Sequence, residues 1–398
     1  MKGRKLVLIA FFVALALMGS AYGGIGTGNA SQGSSANAQP LKIGFFAPET
    51  GPEAADGTSA YNSAKLAVKQ INEKGGINGI PLELVNYDDQ LDTKQAVSIA
   101  QKLTTRDGVV AVVSGSYSGP TRTAAPIYQA ARIPMISGYA VHPSIPRAGD
   151  YIFQQSFSGI VEGRAAAVVA KNKLQAKKVA VLAIDNDFGH ALFQGFQEEA
   201  QKLGLNVTEP NWFHFGDTEF SPVLTRIKSS GAEVLFMPAY AAEGAQIIRQ
   251  IKDLGLKLQP LGTEGLDSTT QFLKVAGKEA EGLIIVTNLN RDSDQKVVKD
   301  FIAAYRQEYK YDPDMVGAST YDAFYVLAQA MRASGTTPQK IRDGIAAIKN
   351  FQAATGKIQR YDSLRQVIKA VQVQQVKDGA FHYFAEVSDA AIITPPTN

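Results

Sequence analysis

The sequence predicts an α/β protein of doubly wound layers, divided between two lobes. Three observations carry that expectation. Short β-branched runs alternate with amphipathic stretches of helical period along the chain, as units of strand, helix and parallel strand require. Most of those runs are apolar throughout instead of alternating, the pattern of strands covered on both faces. With residues 1–38 set aside as an export signal, about 360 residues remain, more than one hydrophobic core usually organises.

The signal reading comes from the first residues. Residues 1–5 are basic, and 6–18 form an uncharged apolar run too short to span a bilayer comfortably, as in a secretory signal. Ala36-Asn37-Ala38 fits the small-x-small cleavage rule, with Gly28-Asn29-Ala30 as the other site. Strands are expected at 42–46, 82–87, 109–114, 134–137, 179–184, 233–237 and 283–286, with further strands near 371–376 and 381–385. Ala60, Ala64, Ala67 and Ile71 form one helical stripe stopped by Gly75-Gly76, and Ile247, Ile251 and Leu254 form another ending at Gly255. Ser118-Gly119-Pro120 is expected to open a helix, with Pro120 in its first turn and the serine as its cap. The stretch 148–160 has weak helical periodicity and reads as a crossover between two sets of strand–helix units, 109–136 and 179–237.

Composition excludes several function classes. The chain has 40 Lys and Arg against 37 Asp and Glu. Loss of Lys2, Arg4 and Lys5 with the signal would leave 37 of each, a poor match for nucleic acid, whose binding rests on phosphate neutralisation. No cysteine is present, so disulfides, thiolate metal sites and cysteine nucleophiles are all excluded. Four scattered histidines, His142, His190, His214 and His382, argue against a histidine metal site, and no cofactor or metal is expected. Tyr87-Asp88-Asp89 with Asp92 lacks the spaced oxygens of a calcium loop and reads as turn and cap chemistry.

Ligands in open α/β sheets sit beyond the carboxyl ends of the strands, so the loops there are the place to look. Ser118 and Thr121, at the start of a helix, offer hydroxyls beside unpaired backbone N–H groups, either as simple capping or as a seat for a carboxylate. Glu264, between glycines after the stretch 258–262, is either a solvated turn acid or the counter-charge of an ammonium. Together they suit the two ends of a zwitterion, with Tyr117, Tyr139, Phe188 and Tyr240 as apolar walls. A rival cluster, Asp185 to His190, has no nucleophile elbow, P-loop or dinucleotide motif beside it, so hydrolysis by Asp187 and His190 is unprompted.

The order of these pieces resembles the solute-binding proteins of ABC importers for branched-chain amino acids and related amides, from about residue 41 to 376. The likeness rests on Lys42-Ile43-Gly44 followed by Thr50-Gly51-Pro52, then Ile71-Asn72-Glu73-Lys74-Gly75-Gly76-Ile77-Asn78-Gly79. Tyr87-Asp88-Asp89, Asp187-Phe188-Gly189, Gln246-Ile247-Ile248-Arg249-Gln250 and Gly262-Thr263-Glu264-Gly265 complete it. The resemblance implies a type I periplasmic-binding fold, two Rossmann-like lobes joined by three crossover strands with a ligand cleft between them. Lobe 1 would comprise 39–159 and 288–355, and lobe 2 would comprise 160–287 and 356–398.

The same resemblance implies ligand-binding roles for Ser118 (carboxylate), Tyr240 and Glu264 (ammonium), Phe188, and Asp56 in the first loop. Tyr139 and Val141 stand where members supply a carbonyl and a threonine hydroxyl. Val141 has no hydroxyl to give and Tyr139 is bulkier than usual, and the disulfide some members have near the Tyr-Asp-Asp segment is missing. The implied function is non-enzymatic: a monomer outside the cytoplasm captures a small aliphatic amino acid and hands it to an ABC permease in the inner membrane. Alternatives are the same fold holding an aromatic or aliphatic carboxylate or a urea-like amide, and a ligand-sensing subunit.

Overall fold

The computed structural model describes residues 39–397, so the signal expected at 1–38 lies outside the described residues. The chain begins β1 (Leu41–Ala47), α1 (Ala54–Glu73), β2 (Leu82–Asp88), α2 (Thr93–Thr105), β3 (Ala111–Ser114), α3 (Ser118–Ala131), β4 (Met135–Ser137) and β5 (Ile152–Gln154). These five strands make one sheet in the order β2-β1-β3-β4-β5, with every pairing parallel. On α1 the stripe Ala60, Ala64, Ala67 and Ile71 is at most 1% exposed, as its spacing requires. The helix stops where Gly75 and Gly76 take φ of 89° and 65°, and a Cβ on Gly76 would lie 2.2 Å from the Ile80 carbonyl oxygen. Asp92 caps α2 by accepting from the Lys94 and Gln95 N–H groups at 2.7 and 2.8 Å.

After β5 come α4 (Gly159–Val168), β6 (Lys178–Ile184), α5 (Asp187–Lys202), β7 (Asn206–Val207), β8 (Asn211–Phe213), α6 (Ser221–Ser229), β9 (Val234–Met237), α7 (Ala241–Asp253), β10 (Gln259–Gly262), α8 (Lys274–Ala276) and β11 (Ile284–Thr287). The chain then forms α9 (Lys296–Tyr309), α10 (Met315–Ser334), α11 (Pro338–Ala346), β12 (Lys349–Ala353), β13 (Gly356–Tyr361), β14 (Val367–Ile368), β15 (Val371–Lys377), β16 (Ala380–Val387) and α12 (Ala390–Ile393). The second sheet runs β16-β15-β11-β10-β9-β6-β7, with β8 also on β6. Its parallel part, β7-β6-β9-β10-β11, repeats the strand order of the first sheet; β15 and β16 add an antiparallel edge. β12, β13 and β14 form a small antiparallel sheet of their own, and Gln366 bridges to Gln154 at the end of β5.

α4 and α5 pack at glycines. A Cβ on Gly163 would lie 2.0 Å from the Leu192 carbonyl oxygen, and one on Gly195 would lie 2.1 Å from that of Ile160. Bare backbone is what lets the two helices approach this closely.

Two expectations need correction. The stretch 148–160 holds the edge strand β5 as well as a passage to the second sheet. A strand of three residues is too short to register as a period of two, and the start of α4 just after it supplies the helical signal. The helix opens at Ser118-Gly119-Pro120 with Pro120 in its first turn, as expected, but its cap position is Tyr117 and not the serine, and the Tyr117 side chain makes no capping bond.

Candidate functional site

In a sheet ordered 2-1-3-4-5 the chain reverses its winding between the first and third strands, and the crevice beyond that point is where ligands bind. The reversal falls between β1 and β3 in the first sheet and between β6 and β9 in the second. Loops from both reversal points line one cavity, concave and walled mostly by apolar and aromatic groups with a few polar ones, as small-molecule sites are. The first sheet contributes Asp56, Tyr117, Ser118, Tyr139, Ala140 and Val141, and the second contributes Phe188, Tyr240, Glu264 and Gly265. Met315 and Val316, in the first turn of α10, complete the lining.

Of the nine residues singled out from sequence, eight line this cavity and Thr121 does not. The Thr121 hydroxyl hydrogen-bonds the Ser114 hydroxyl at 2.7 Å and donates to the Ser116 carbonyl at 3.2 Å. It therefore steadies the turn between β3 and α3. Ser118 has the opposite fate: it is 4% exposed, caps nothing, and its oxygen accepts the His142 N–H at 3.3 Å. Its hydroxyl proton remains available for an acceptor in the cavity, beside the unpaired N–H groups that begin α3.

The walls are aromatic. Tyr117 meets Tyr139 and Tyr240 edge-on at 5.6 and 5.0 Å, and Phe188 stacks on Tyr240 at 5.1 Å. The Tyr139 hydroxyl donates to the Gly115 carbonyl at 3.0 Å, which turns the ring's polar end away from need of a ligand. Asn186 caps α5 through the N–H groups of Phe188 and Gly189, both at 3.0 Å, and its amide donates to the Tyr240 hydroxyl at 3.2 Å.

Glu264 is 3% exposed, which disposes of the solvated-turn alternative. Its Oε2 accepts from Asn288 Nδ2 at 2.9 Å and from Ser156 Oγ at 3.4 Å. Its Oε1 has no hydrogen-bond partner among the described residues. The Glu264 N–H donates to Glu162 Oε1 at 2.9 Å, so a second, fully buried carboxyl group lies behind the cavity wall at Glu264. Burial, with the neighbouring Glu162 second, holds the Glu264 carboxyl well above its ordinary range. Burial likewise pushes Glu162 up to about 8. Lys369 is fully buried and donates to Thr355 Oγ1 at 2.7 Å; burial pulls its ammonium down to about 8, and its charge partly offsets that of Glu162 on Glu264.

Sequence reasoning missed Ser156, Glu162, Asn288 and Lys369 around Glu264, together with Met315 and Val316. All lie far from Glu264 along the chain and carry no local motif. The one available signal was Asp314 before an apolar run, which marks the start of α10: its side chain accepts the Gly317 N–H at 2.8 Å. Gly265 belonged to a quoted motif, and its reason is steric, since a Cβ there would lie 2.4 Å from the Ala239 carbonyl oxygen.

The rival cluster stands outside the cavity. His190 Nε2 is 2.8 Å from Asp185 Oδ1 with both side chains well exposed, and the imidazole lies 4.1 Å from the Trp212 ring. Asp187 accepts from Arg122 Nε at 2.7 Å instead. Asp88 accepts the Glu49 and Gln90 N–H groups at 2.9 Å and Asp89 the Leu91 N–H at 3.0 Å, the turn chemistry expected of them. Among the described residues, no cluster of three or more metal-ligating side chains occurs, and no helix is long and apolar enough to cross a membrane.

Comparison with known proteins gives a consistent result. A family profile described as periplasmic binding protein matches residues 40–380. The leucine-specific-binding protein of Salmonella typhimurium is 30% identical over 337 residues, covering 84% of this chain and 86% of its own. Among solved structures, the leucine-binding protein LivK of Thermotoga maritima superposes with a TM-score of 0.82 at 27% identity, over 88% of this chain and 99% of that one. LivJ of Streptococcus pneumoniae, a branched-chain amino acid transporter substrate-binding protein in complex with isoleucine, gives 0.79 at 28% identity over the same shares.

Proposed function

We propose, for a chain that belongs to the periplasmic binding protein family and has its type I fold, that the cavity captures a small amino acid for an ABC importer. The α-carboxylate would sit against the Ser118 hydroxyl and the first N–H groups of α3. The ammonium would meet Glu264 Oε1, and a branched-chain or other aliphatic stem would rest on Tyr240, Phe188, Val141 and Met315. The observation that carries this reading is Glu264 itself: a buried carboxylate with one oxygen unpartnered, in the same cavity as a helix N-terminus. Such an acid asks for a cation, and the helix start asks for an anion.

Capture works through closure. The lobes are 39–159 with about 288–368 and 160–287 with about 371–398, the second boundary falling after β14 and not at 355 because β12, β13 and β14 pair as one sheet bridged to β5, and they would meet around the ligand. Arg122 to Asp187 at 2.7 Å, Gln271 to Asp56 at 2.8 Å and Tyr117 against Tyr240 are contacts between the two sets of loops. A ligand touching both sets favours the closed arrangement by its differential affinity. The closed form then docks on a membrane permease outside the cytoplasm, after export directed by residues 1–38. The task is binding and release, with the ligand unchanged.

Titration calorimetry on the mature chain tests this directly. Saturable 1:1 heats are expected with at least one of leucine, isoleucine, valine or alanine, and the amino acid should be recovered intact. Binding of benzoate or urea with no response to any amino acid would refute it.

A further inference from the structure

The end of the cavity formed by α1 has a surplus of negative charge and a shortage of donors. Asp56 lines the cavity; its Oδ2 accepts the Tyr117 hydroxyl at 2.6 Å and its Oδ1 accepts Gln271 Nε2 at 2.8 Å. Glu53, 3% exposed, also claims the Tyr117 hydroxyl, at 2.9 Å. A phenol has one proton, so with both acids ionised it satisfies one carboxylate and leaves the other short of a donor. Behind Asp56 lie two more buried acids, Asp267 and Asp314, and the charges that act on Asp56 are all carboxylates. Arg291 is the cation of this corner, and it is bound to Asp267 and the Pro313 carbonyl. No Lys, Arg or His lines the cavity.

We propose that the captured amino acid has a side chain ending in an amine or guanidinium, received by Asp56 beside the rings of Tyr117 and Tyr139. The inference rests on the amino-acid reading of the cavity and narrows it. Lysine- and arginine-type side chains carry an aliphatic stem for the apolar wall and a cation for the acidic end. A guanidinium offers five donors and an ammonium three, so either supplies what the single Tyr117 proton lacks. Aromatic rings beside an acid add to cation binding through their quadrupoles. The α-ammonium still goes to Glu264, so the two acids of the cavity take the two cations of the ligand. The α-carboxylate faces Ser118.

The test is calorimetry at pH 7 on the mature chain with L-arginine, L-lysine and L-leucine, then on Asp56→Asn. Arginine or lysine should bind about tenfold or more tightly than leucine, the scale of one hydrogen bond to a charged group. Asp56→Asn should remove that preference, lowering arginine and lysine affinity about tenfold or more beyond any loss of leucine affinity. The wild-type preference needs no variant, so a poorly folded Asp56→Asn leaves the proposal testable. Leucine binding as tightly as arginine and lysine overturns the assignment of Asp56 and leaves amino-acid capture standing. A loss in Asp56→Asn that is equal for all three ligands also overturns it, and makes Asp56 a part of the closure seam only. Failure of all three ligands on the wild-type protein sinks the amino-acid reading itself, and this inference with it.

Discussion

Glu264→Gln separates the ligand role of this acid from a structural one, because the two roles predict opposite signs. In the free protein the Glu264 carboxylate is buried beside Glu162 and has no ion-pair partner among the described residues. Glutamine keeps an oxygen for Asn288 Nδ2, now at 2.9 Å from Oε2, and removes the charge. Unliganded stability should therefore rise, by about 1 kcal/mol or more given the desolvation cost of a buried charge, and the melting temperature by about 2 °C. Ligand affinity should fall, because the bound ammonium loses its counter-ion. Truncating one partner of a buried charge pair costs about 2–5 kcal/mol, which is roughly 30- to 4,000-fold in Kd. A second signature is protonic. The free carboxyl is held above its ordinary range, whereas the ligand's ammonium favours its ionised form. Binding should thus release protons, and affinity should improve as pH rises towards the free-state pKa and level off above it. Calorimetry in buffers of different ionisation enthalpy counts those protons, and the count should drop in the variant. A Kd within about threefold of wild type, or a lowered melting temperature with affinity intact, would refute the reasoning.

Three further outcomes follow from the same geometry. Gly163→Ala puts a methyl 2.0 Å from the Leu192 carbonyl oxygen and should cost about 1–3 kcal/mol by denaturant unfolding, because backbone must move to admit it. Ser118→Ala should weaken amino-acid binding by about 1 kcal/mol, one hydrogen bond, on top of whatever stability is lost with its 3.3 Å bond from the His142 N–H; an unchanged Kd by calorimetry would contradict this. Glu53 is raised from 4.5 to about 7, chiefly by burial, so the folded state binds its proton more tightly than the unfolded state does. Its stabilising contribution is complete below about pH 4.5 and lost by about pH 7, some 3 kcal/mol in all; urea melts across that window should show the slope flattened in Glu53→Gln, with the remainder coming from the other acids that burial raises, Glu162, Glu264, Asp56, Asp89 and Asp314.

Much of the scaffold was legible because each strand–helix unit writes its own signal. The stripe of α1, the Gly75-Gly76 stop and the strands β1, β2, β6 and β9 are local features, decided by neighbours within a few turns. β5 and β14, of three and two residues, are held by pairing with distant chain and carry no period. The candidate site divides along the same line. Ser118, Tyr240 and Glu264 follow strand ends, where the topology itself says to look. The groups that set the state of Glu264 do not: Glu162 is 102 positions away and Ser156 is 108, and nothing in a heptad or a motif relates them. Thr121 misled for the converse reason, since a hydroxyl at a helix start serves the turn as readily as a ligand.

Those distant groups have something in common. The chain passes between the two sheets three times: between β5 and α4, after β11, and between β14 and β15. Ser156 lies on the first passage, Asn288 on the second and Lys369 on the third, and each acts on Glu264, two by hydrogen bonds and one by charge. Groups near a hinge move least when lobes rotate about it. An ammonium on Glu264 is thus held much alike in open and closed arrangements, and equal affinity for two states shifts nothing between them. The contacts that differ lie away from the passages: Arg122 with Asp187, Gln271 with Asp56, and Tyr117 with Tyr240. Affinity and closure are accordingly assigned to different residues of one cavity. On the proposed reading, Glu264 would anchor the ligand at the axis, and the part of the ligand that reaches Asp56 and the tyrosines would determine how far the lobes close.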